Sequence, residues 1–320
     1  MHDEHTKIFA KLQGKVSRRT LLKGVGLGGA AAALANFGGW AQAQEGSSLA
    51  TTGGTFRMMV GDIGVTAVNA ARLQLPSSSF GIGAPEGGPD EVLTSVNLPT
   101  GTIPSVATPV LFEVGGNLVL LDTGTGAPNV TLMSGLASLG VMPEDIDTVI
   151  ISHWHGDHTG GLSFDGELAF PNANVMISET EYAFIQDGGD TTAQARSKLA
   201  PADDAGVLMQ YTDGDELFPG ITAVAAPGHT PGHFVFDIQS GGQRLWHLVD
   251  TANHQVIALR HPEWGFGFDG DVEQATATRR MLLGTAADEQ IMIMAYHFPF
   301  AGTGYVARNG EDGFSFTPSL

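Results

Sequence analysis

The stretch ISHWHGDHTGG, Ile151 to Gly161, places three histidines and an aspartate within positions 153–158 of a chain that has 11 histidines in 320 residues. It follows a β-branched run, DTVIIS (Asp147–Ser152), and closes on a pair of glycines. A fold that hosts it must bring a strand end and a tight turn to one polar point. In extended backbone, residues i and i+2 project to the same side, so His153 and His155 can grip one ion together. Asp157 and His158 follow at the turn and face a second position. Zinc takes about four ligands, so these side chains cannot complete two sites, and further ligands must come from elsewhere. The chain has no cysteine, which removes disulfides, thiolate ligands and a cysteine nucleophile. Any metal must be held by His, Asp, Glu or backbone oxygen.

The missing ligands have candidates. His229 lies in APGHTPGH, Asp250 in LVDTANH and His297 in AYHFPF, each just past a strand-like segment. A lone histidine after a strand is more often a satisfied polar residue than a ligand. Three such positions at successive strand ends, with H-x-H-x-D-H upstream, reverse that expectation. Chemistry in α/β folds gathers at loop-bearing strand ends.

The surrounding pattern mixes strands and helices. Thr55–Leu75 reads as strands broken at Gly61-Asp62, and Pro109–Gly124 as two strands joined at Gly115-Gly116. Helical spacing covers Val130–Gly140, starts again near Glu179 and recurs over Val272–Leu283. Asn174–Ser178, the segments flanking APGHTPGH, Arg244–Asp250 and IMIMAY read as strands. Residues 76–109, rich in Pro, Gly and Ser, read as a long loop. No short repeat or linker follows residue 50, so residues 44–320 are read as a single domain.

These motifs together resemble the metallo-β-lactamase superfamily. HWHGDH, His229, Asp250 and His297 carry the resemblance, with LLDTG (Leu120–Gly124) as its early strand and turn. FRMMVGDIGVTAV, LAFPNANV, APGHTPGH and FPFAGTGYV are further similar to the branch of methyl parathion hydrolase and related secreted hydrolases. The resemblance runs from Phe56 to about Val306. It implies an α+β class and an αββα four-layer sandwich. It implies two zinc ions, or other divalent metals: one on His153, His155 and His229, the other on Asp157, His158 and His297, with Asp250 bridging and a hydroxide between the ions. Asp157 and Asp250 are the catalytic candidates. Two divalent ions against two aspartates and a hydroxide leave a positive centre, which favours a nucleophilic hydroxide and a developing oxyanion.

Two departures stand out. NAAR (Asn69–Arg72) replaces the acidic residue and glycine usual in the family's first hairpin, and Val249 precedes Asp250 where glycine is usual. Neither removes a ligand. Asp122 is read as a turn residue or a support for a neighbouring ligand, because DTGTG (Asp122–Gly126) lacks the lysine of a phosphate-binding P-loop.

The expected activity is hydrolysis of a neutral small molecule: a lactone, an aryl ester or an organophosphate triester. The competing readings are a β-lactamase or a thiolester hydrolase of the same superfamily, an oxygen-reducing iron enzyme, and a metal-binding domain without catalysis. Asp250 and the lack of cysteine speak against the first. Scarce Lys and Arg speak against a glutathione-binding thiolesterase. His155, where the iron enzymes carry Glu, speaks against redox chemistry, and the full set of seven ligands against a degenerate domain. The formal net charge is −19, a surface that repels nucleic acid. Trp154, Phe80, Phe266, Phe268, Phe298 and Phe300 are open between lining the pocket and packing the core.

Residues 1–43 read as a twin-arginine export signal. SRRTLLK (Ser17–Lys23) precedes an apolar Gly/Ala-rich stretch and the cleavage pattern Ala41-Gln42-Ala43. The expectation is a periplasmic or secreted protein with no membrane attachment after cleavage. The oligomeric state stays open, a dimer included.

Overall fold

The computed structural model describes residues 54–126 and 131–319. The export segment 1–43 and Val130 lie outside the described residues.

The first half of the chain supplies β1 (Thr55–Val60), β2 (Ile63–Val68), β3 (Ala71–Pro76), β4 (Thr102–Ala107), β5 (Val110–Val114), β6 (Asn117–Leu121), β7 (Thr148–Ile151), β8 (Ser163–Phe164), β9 (Glu167–Leu168), β10 (Asn174–Ser178) and β11 (Leu208–Tyr211). Seven of these form one sheet in the order β1-β2-β5-β6-β7-β10-β11. Its early pairs are antiparallel, and β6, β7, β10 and β11 run parallel. The second half supplies β12 (Glu216–Phe218), β13 (Ile221–Ala225), β14 (Phe234–Ser240), β15 (Gln243–His247), β16 (Met292–Met294), β17 (Thr303–Asn309) and β18 (Gly313–Pro318), which form a second sheet in chain order. There only β15 and β16 are parallel.

Helices follow as α1 (Gly88–Ser95), α2 (Thr131–Ser138), α3 (Gly156–Thr159), α4 (Glu179–Asp187), α5 (Ala193–Asp204), α6 (Ile257–Arg260) and α7 (Val272–Asp288). Leu132 and Leu136 of α2, Ile185 of α4 and Leu199 of α5 pack on Leu118, Leu120, Val149, Ile151, Val175 and Ile177 of the first sheet. Leu259 of α6 and Leu282, Leu283 and Ala286 of α7 pack on the second, against Val235, Ile293 and Val306. The alternate residues of the first sheet are buried too; β7 and β10 are buried at every position, the pattern of strands covered on both faces. Tyr211 of β11 meets Phe234 and Phe236 of β14 across the interior. The class is α+β, the four-layer αββα sandwich.

The glycine joints read from sequence are present. Gly61 (φ 53°) turns β1 into β2, and Gly115 and Gly116 (φ 57° and 84°) turn β5 into β6, conformations glycine adopts without a Cβ clash. The stretch 76–109 requires correction. It is not an irregular loop: it holds a 3-10 turn (Ser77–Phe80), α1 and β4, which pairs antiparallel with β3 over six residues. Phe80, Val92, Leu93 and Ile103 bury together with Ile257 and Phe266. Gly87-Gly88-Pro89 hides the helix start from a composition reading, yet proline is well placed in a helix's first turn. Helix α5 carries little local helical signal, having Pro201 in its interior and few apolar residues.

Every loop that bears a candidate ligand leaves the C-terminal end of a strand: β7 for residues 153–158, β13 for His229, β15 for Asp250 and β16 for His297. The glycine pair after the cluster explains how these loops close up. A Cβ on Gly160 would lie 2.3 Å from the Thr125 carbonyl oxygen, and one on Gly161 2.3 Å from that of Thr123. Gly160→Ala is therefore expected to destabilise the protein by about 1–3 kcal/mol or more through overpacking, read as a fall in thermal midpoint with loss of bound metal. A variant with unchanged midpoint and metal content would contradict this packing account.

Candidate metal centre

Strand β7 ends at Ile151, and the cluster leaves it in irregular backbone. His155 is the N-terminal flanking residue of the single-turn helix α3, which carries Asp157 and His158. The turn expected after His155 is thus helical. His153 and His158 are fully buried, and His229, Asp250 and His297 are 7% exposed or less.

The seven candidates come together. His155 Nδ1 lies 3.0 Å from His153 Nε2 and 2.9 Å from His229 Nε2. His297 Nε2 lies 3.4 Å and His158 Nε2 3.7 Å from Asp157 Oδ2. Asp250 sits between the two trios. Its Oδ2 is 3.1 Å from His297 Nε2, 3.3 Å from His229 Nε2 and 3.9 Å from His153 Nε2, and its Oδ1 is 3.3 Å from His158 Nε2.

Four of the five histidines have their outward nitrogen engaged, which fixes the tautomer. Nδ1–H donates to Asp122 Oδ2 from His158 (2.8 Å), to Asp269 Oδ1 from His229 (2.8 Å), to the Val106 carbonyl from His297 (2.7 Å) and to Ser152 Oγ from His153 (3.0 Å). Ser152 in turn donates to Asp122 Oδ2. With Nδ1–H so engaged, each of these rings in its neutral form turns its Nε2 lone pair inward, the arrangement metal-binding histidines require. Among the described residues, His158 Nε2 and Asp250 Oδ1 are buried without a hydrogen-bond partner. Orphaned buried acceptors are costly, and converging imidazole and carboxylate lone pairs fit a divalent cation.

The electrostatics agree. Burial opposes ionisation of Asp250, yet His297 and His158 hold its carboxyl well below the usual range. Burial also opposes charge on His229, but hydrogen bonds to Asp250 and Asp269 raise it to about 9. His158 and His297 are likewise raised, burial being outweighed chiefly by Asp250. His153 and His155 are pushed well down by burial and their cationic neighbours.

Several side chains support the cluster from behind. Asp122 at φ 61° carries the Ser152–His158 network, one of the two roles open to it. His233, in the same APGHTPGH motif as His229, is no ligand. It donates from Nδ1 to the Ala226 carbonyl and accepts the Asp250 backbone N–H at Nε2. Asn253 donates to Asp250 Oδ2. Fully buried Glu181 joins two ligand loops, accepting from Trp154 N, Thr230 Oγ1 and Gly232 N; burial raises its carboxyl to about 7. Only APGHTPGH, with its second histidine, carried a sequence signal for any of these except Asp122.

A cavity of about 410 Å³ opens over the cluster. Leu73, Leu75, Trp154, Phe266 and Phe268 line it beside His155, Asp157, His229, Asp250 and His297. Among the aromatics left open by sequence, Trp154, Phe266 and Phe268 are wall residues. Phe80 packs behind Phe266 at 5.0 Å, Phe298 is core, and half-buried Phe300 does not line the cavity. Trp154 serves both ends, since it also packs against the first sheet's core.

A two-sheet sandwich with His and Asp side chains converging at its strand ends defines the class, and comparison with known proteins gives it a family. Residues 103–245 match the family model of the metallo-β-lactamase superfamily. The chain is 30% identical over 199 residues to the N-acyl homoserine lactonase AttM of Agrobacterium fabrum, covering 57% of this chain and 67% of that protein. A dizinc quorum-quenching lactonase, AidC, solved in complex with a product, superposes with TM-score 0.76 at 25% identity, over 84% of this chain and 98% of AidC. The hydrolase AbOPH of the β-lactamase superfamily shares the fold, with TM-score 0.78 at 24% identity over the same shares. The chain belongs to the metallo-β-lactamase superfamily. It spans between about 38% and 78% of the length of the curated relatives it matches.

A metal can bind only neutral imidazole, so loading must expel the Nε2 proton that Asp250 favours on His229, while the Nδ1–H facing Asp269 stays. The sign follows from the raised value of His229. The stabilisation its protonated ring gives the metal-free protein is complete below pH 6.5 and is lost as pH rises through about 9. Calorimetric titration of metal-free protein with zinc at pH 7.5, in buffers of different ionisation enthalpy, should show release of at least one proton per chain. No release would contradict these assignments.

Proposed function

We propose that this protein is a divalent-metal hydrolase of neutral small esters, lactones foremost, working with two metal ions. The observation that carries the reading is the seven-residue cluster open to an apolar cavity whose lining holds no Lys or Arg. His153, His155 and His229 would hold one ion, and Asp157, His158 and His297 the other. Asp250, between the trios, would serve both. Divalent ions so held supply Lewis-acid polarisation of a carbonyl or phosphoryl group and make water acidic enough to attack it near neutral pH.

The chain's own residues supply the rest. Asp157 is the carboxylate of the cluster with the greater exposure, 22% against 3% for Asp250, and it lines the cavity. It is placed to take a proton from the attacking water and return it to the leaving oxygen. Leu73, Leu75, Trp154, Phe266 and Phe268 desolvate the substrate's apolar part. An anionic substrate finds no Lys or Arg in the lining, which disfavours β-lactam carboxylates and glutathione thiolesters. The relatives named as N-acyl homoserine lactonases support lactones as the first substrates to test.

In a panel assay of protein loaded with zinc and found to carry two equivalents per chain, neutral acyl lactones should exceed β-lactams in kcat/KM by at least about tenfold, equivalent to about 1.4 kcal/mol of transition-state binding. Aryl esters and phosphotriesters form the intermediate arms. Faster turnover of penicillins than of every neutral ester would sink the reading, and one tightly bound ion per chain would sink its dinuclear part.

Export by the twin-arginine route to the periplasm or beyond belongs to the same proposal. Replacing Arg18 and Arg19 by Lys should retain the protein in the cytoplasm on cell fractionation; unchanged periplasmic recovery would refute that assignment.

A further inference from the structure

Arg279, on α7, is one of the largest fully buried side chains in the protein, at 1% exposure. A buried guanidinium is tolerated only when its donors are satisfied. Its Nε donates to the Thr251 carbonyl at 2.7 Å, directly after Asp250. One terminal nitrogen reaches the carbonyls of Trp264 at 2.6 Å and Pro262 at 3.4 Å, and the other reaches Asp269 Oδ2 at 3.4 Å. The fork therefore ties the Asp250 turn to both ends of the segment 262–269.

Asp269 does two things with one buried carboxylate. Its Oδ1 accepts His229 Nδ1–H at 2.8 Å, and its Oδ2 accepts the Phe266 backbone N–H at 2.8 Å. Phe266 lies near-parallel to the His229 ring, 20° between planes and 6.2 Å between centroids, and Phe268 is 5.2 Å from Phe266. Gly270 N and Asp271 N donate to the carbonyls of His229 and Gly228, so the segment is bound to the His229 loop along its backbone as well. The aromatic wall of the cavity and the orientation of a metal-facing histidine thus hang on the same side chain.

We propose that Asp269, clamped by Arg279, is a positioning residue that sets the grip on the metal and the shape of the substrate wall together. Segment 262–269 is then the specificity-determining element of the pocket. A change in its length or in its anchoring alters metal affinity and apolar-substrate affinity in the same variant. Lysine cannot replace Arg279, because a point charge does not span three carbonyls and a carboxylate. The substrate half of this inference rests on the hydrolase reading above; the metal half does not.

The test uses the full chain with Asp269→Asn. The amide can still accept from Phe266 N or from His229, but it loses the charge and cannot serve both as the carboxylate does. Zinc affinity by chelator competition should weaken about 10–100-fold, the usual effect of losing a histidine's outer partner. At saturating zinc, KM for a neutral lactone with a long apolar acyl chain should rise at least about fivefold, with kcat changed less than about twofold. The short-chain lactone should shift less. Arg279→Lys should move both quantities the same way by a smaller factor, and it carries the test if Asp269→Asn does not fold. A lowered melting temperature with zinc affinity and KM both unchanged would reduce Asp269 to a structural residue and overturn the proposal. So would a change in one quantity without the other. Zinc affinity needs no turnover, so a protein inactive on every ester refutes the assigned activity and leaves that arm to judge Asp269.

Discussion

One buried carboxylate, Asp250, sets the terms for the rest of the site. Four imidazole nitrogens stand within 3.1–3.9 Å of it at 3% side-chain exposure. A charge so placed is tolerated only with positive charge beside it, and the fold supplies that as protonated histidines or as metal. Its backbone is held as firmly as its oxygens. Val249 adopts φ 48° to aim it, a left-handed conformation costly for a β-branched residue. His233 then takes the Asp250 N–H and Asn253 donates to Oδ2. Val249 therefore marks backbone strain stored beside Asp250.

The β3–β4 pair serves both the cavity wall and a candidate ligand. Leu73 and Leu75 form part of the cavity wall. On the partner strand, the Val106 carbonyl and Ser105 Oγ engage His297 Nδ1. Across the cavity, segment 262–269 has the same double duty through Phe266, Phe268 and Asp269. Both walls lean on the metal-facing histidines, so the pocket's shape and its chemistry are mechanically joined. That leaves little room for a wall residue to move without disturbing a ring.

The sandwich itself was largely legible from the sequence. The glycine turns at Gly61 and Gly115-Gly116, the buried strands β7 and β10 and the long helix α7 all announce themselves by local pattern, because their periodicity is dictated by the faces they bury. Segment 76–109 did not. Its Pro, Gly and Ser suggest a loop, and the few apolar residues that order it, Phe80, Val92, Leu93 and Ile103, find one another only in the fold. Helix α5 was hidden by Pro201. In both cases tertiary burial overrides a weak local preference.

What the sequence determined by itself was the set of candidate ligands that the fold brings together. H-x-H-x-D-H concentrates donors in six residues, and His229, Asp250 and His297 stand at strand ends where little else explains them. A short motif states its chemistry because its spacing is local. What only the tertiary structure decided was which acids and bases serve those ligands. Glu181, Asp269 and Arg279 are ordinary members of a chain with 34 acidic and 15 basic residues. Glu181 meets Trp154 across 27 positions, Asp269 meets His229 across 40 and Arg279 meets Thr251 across 28. Their roles come from geometry: a carboxylate orients a histidine only when folding places it within about 3 Å of the ring's outer nitrogen, and no composition or spacing encodes that distance.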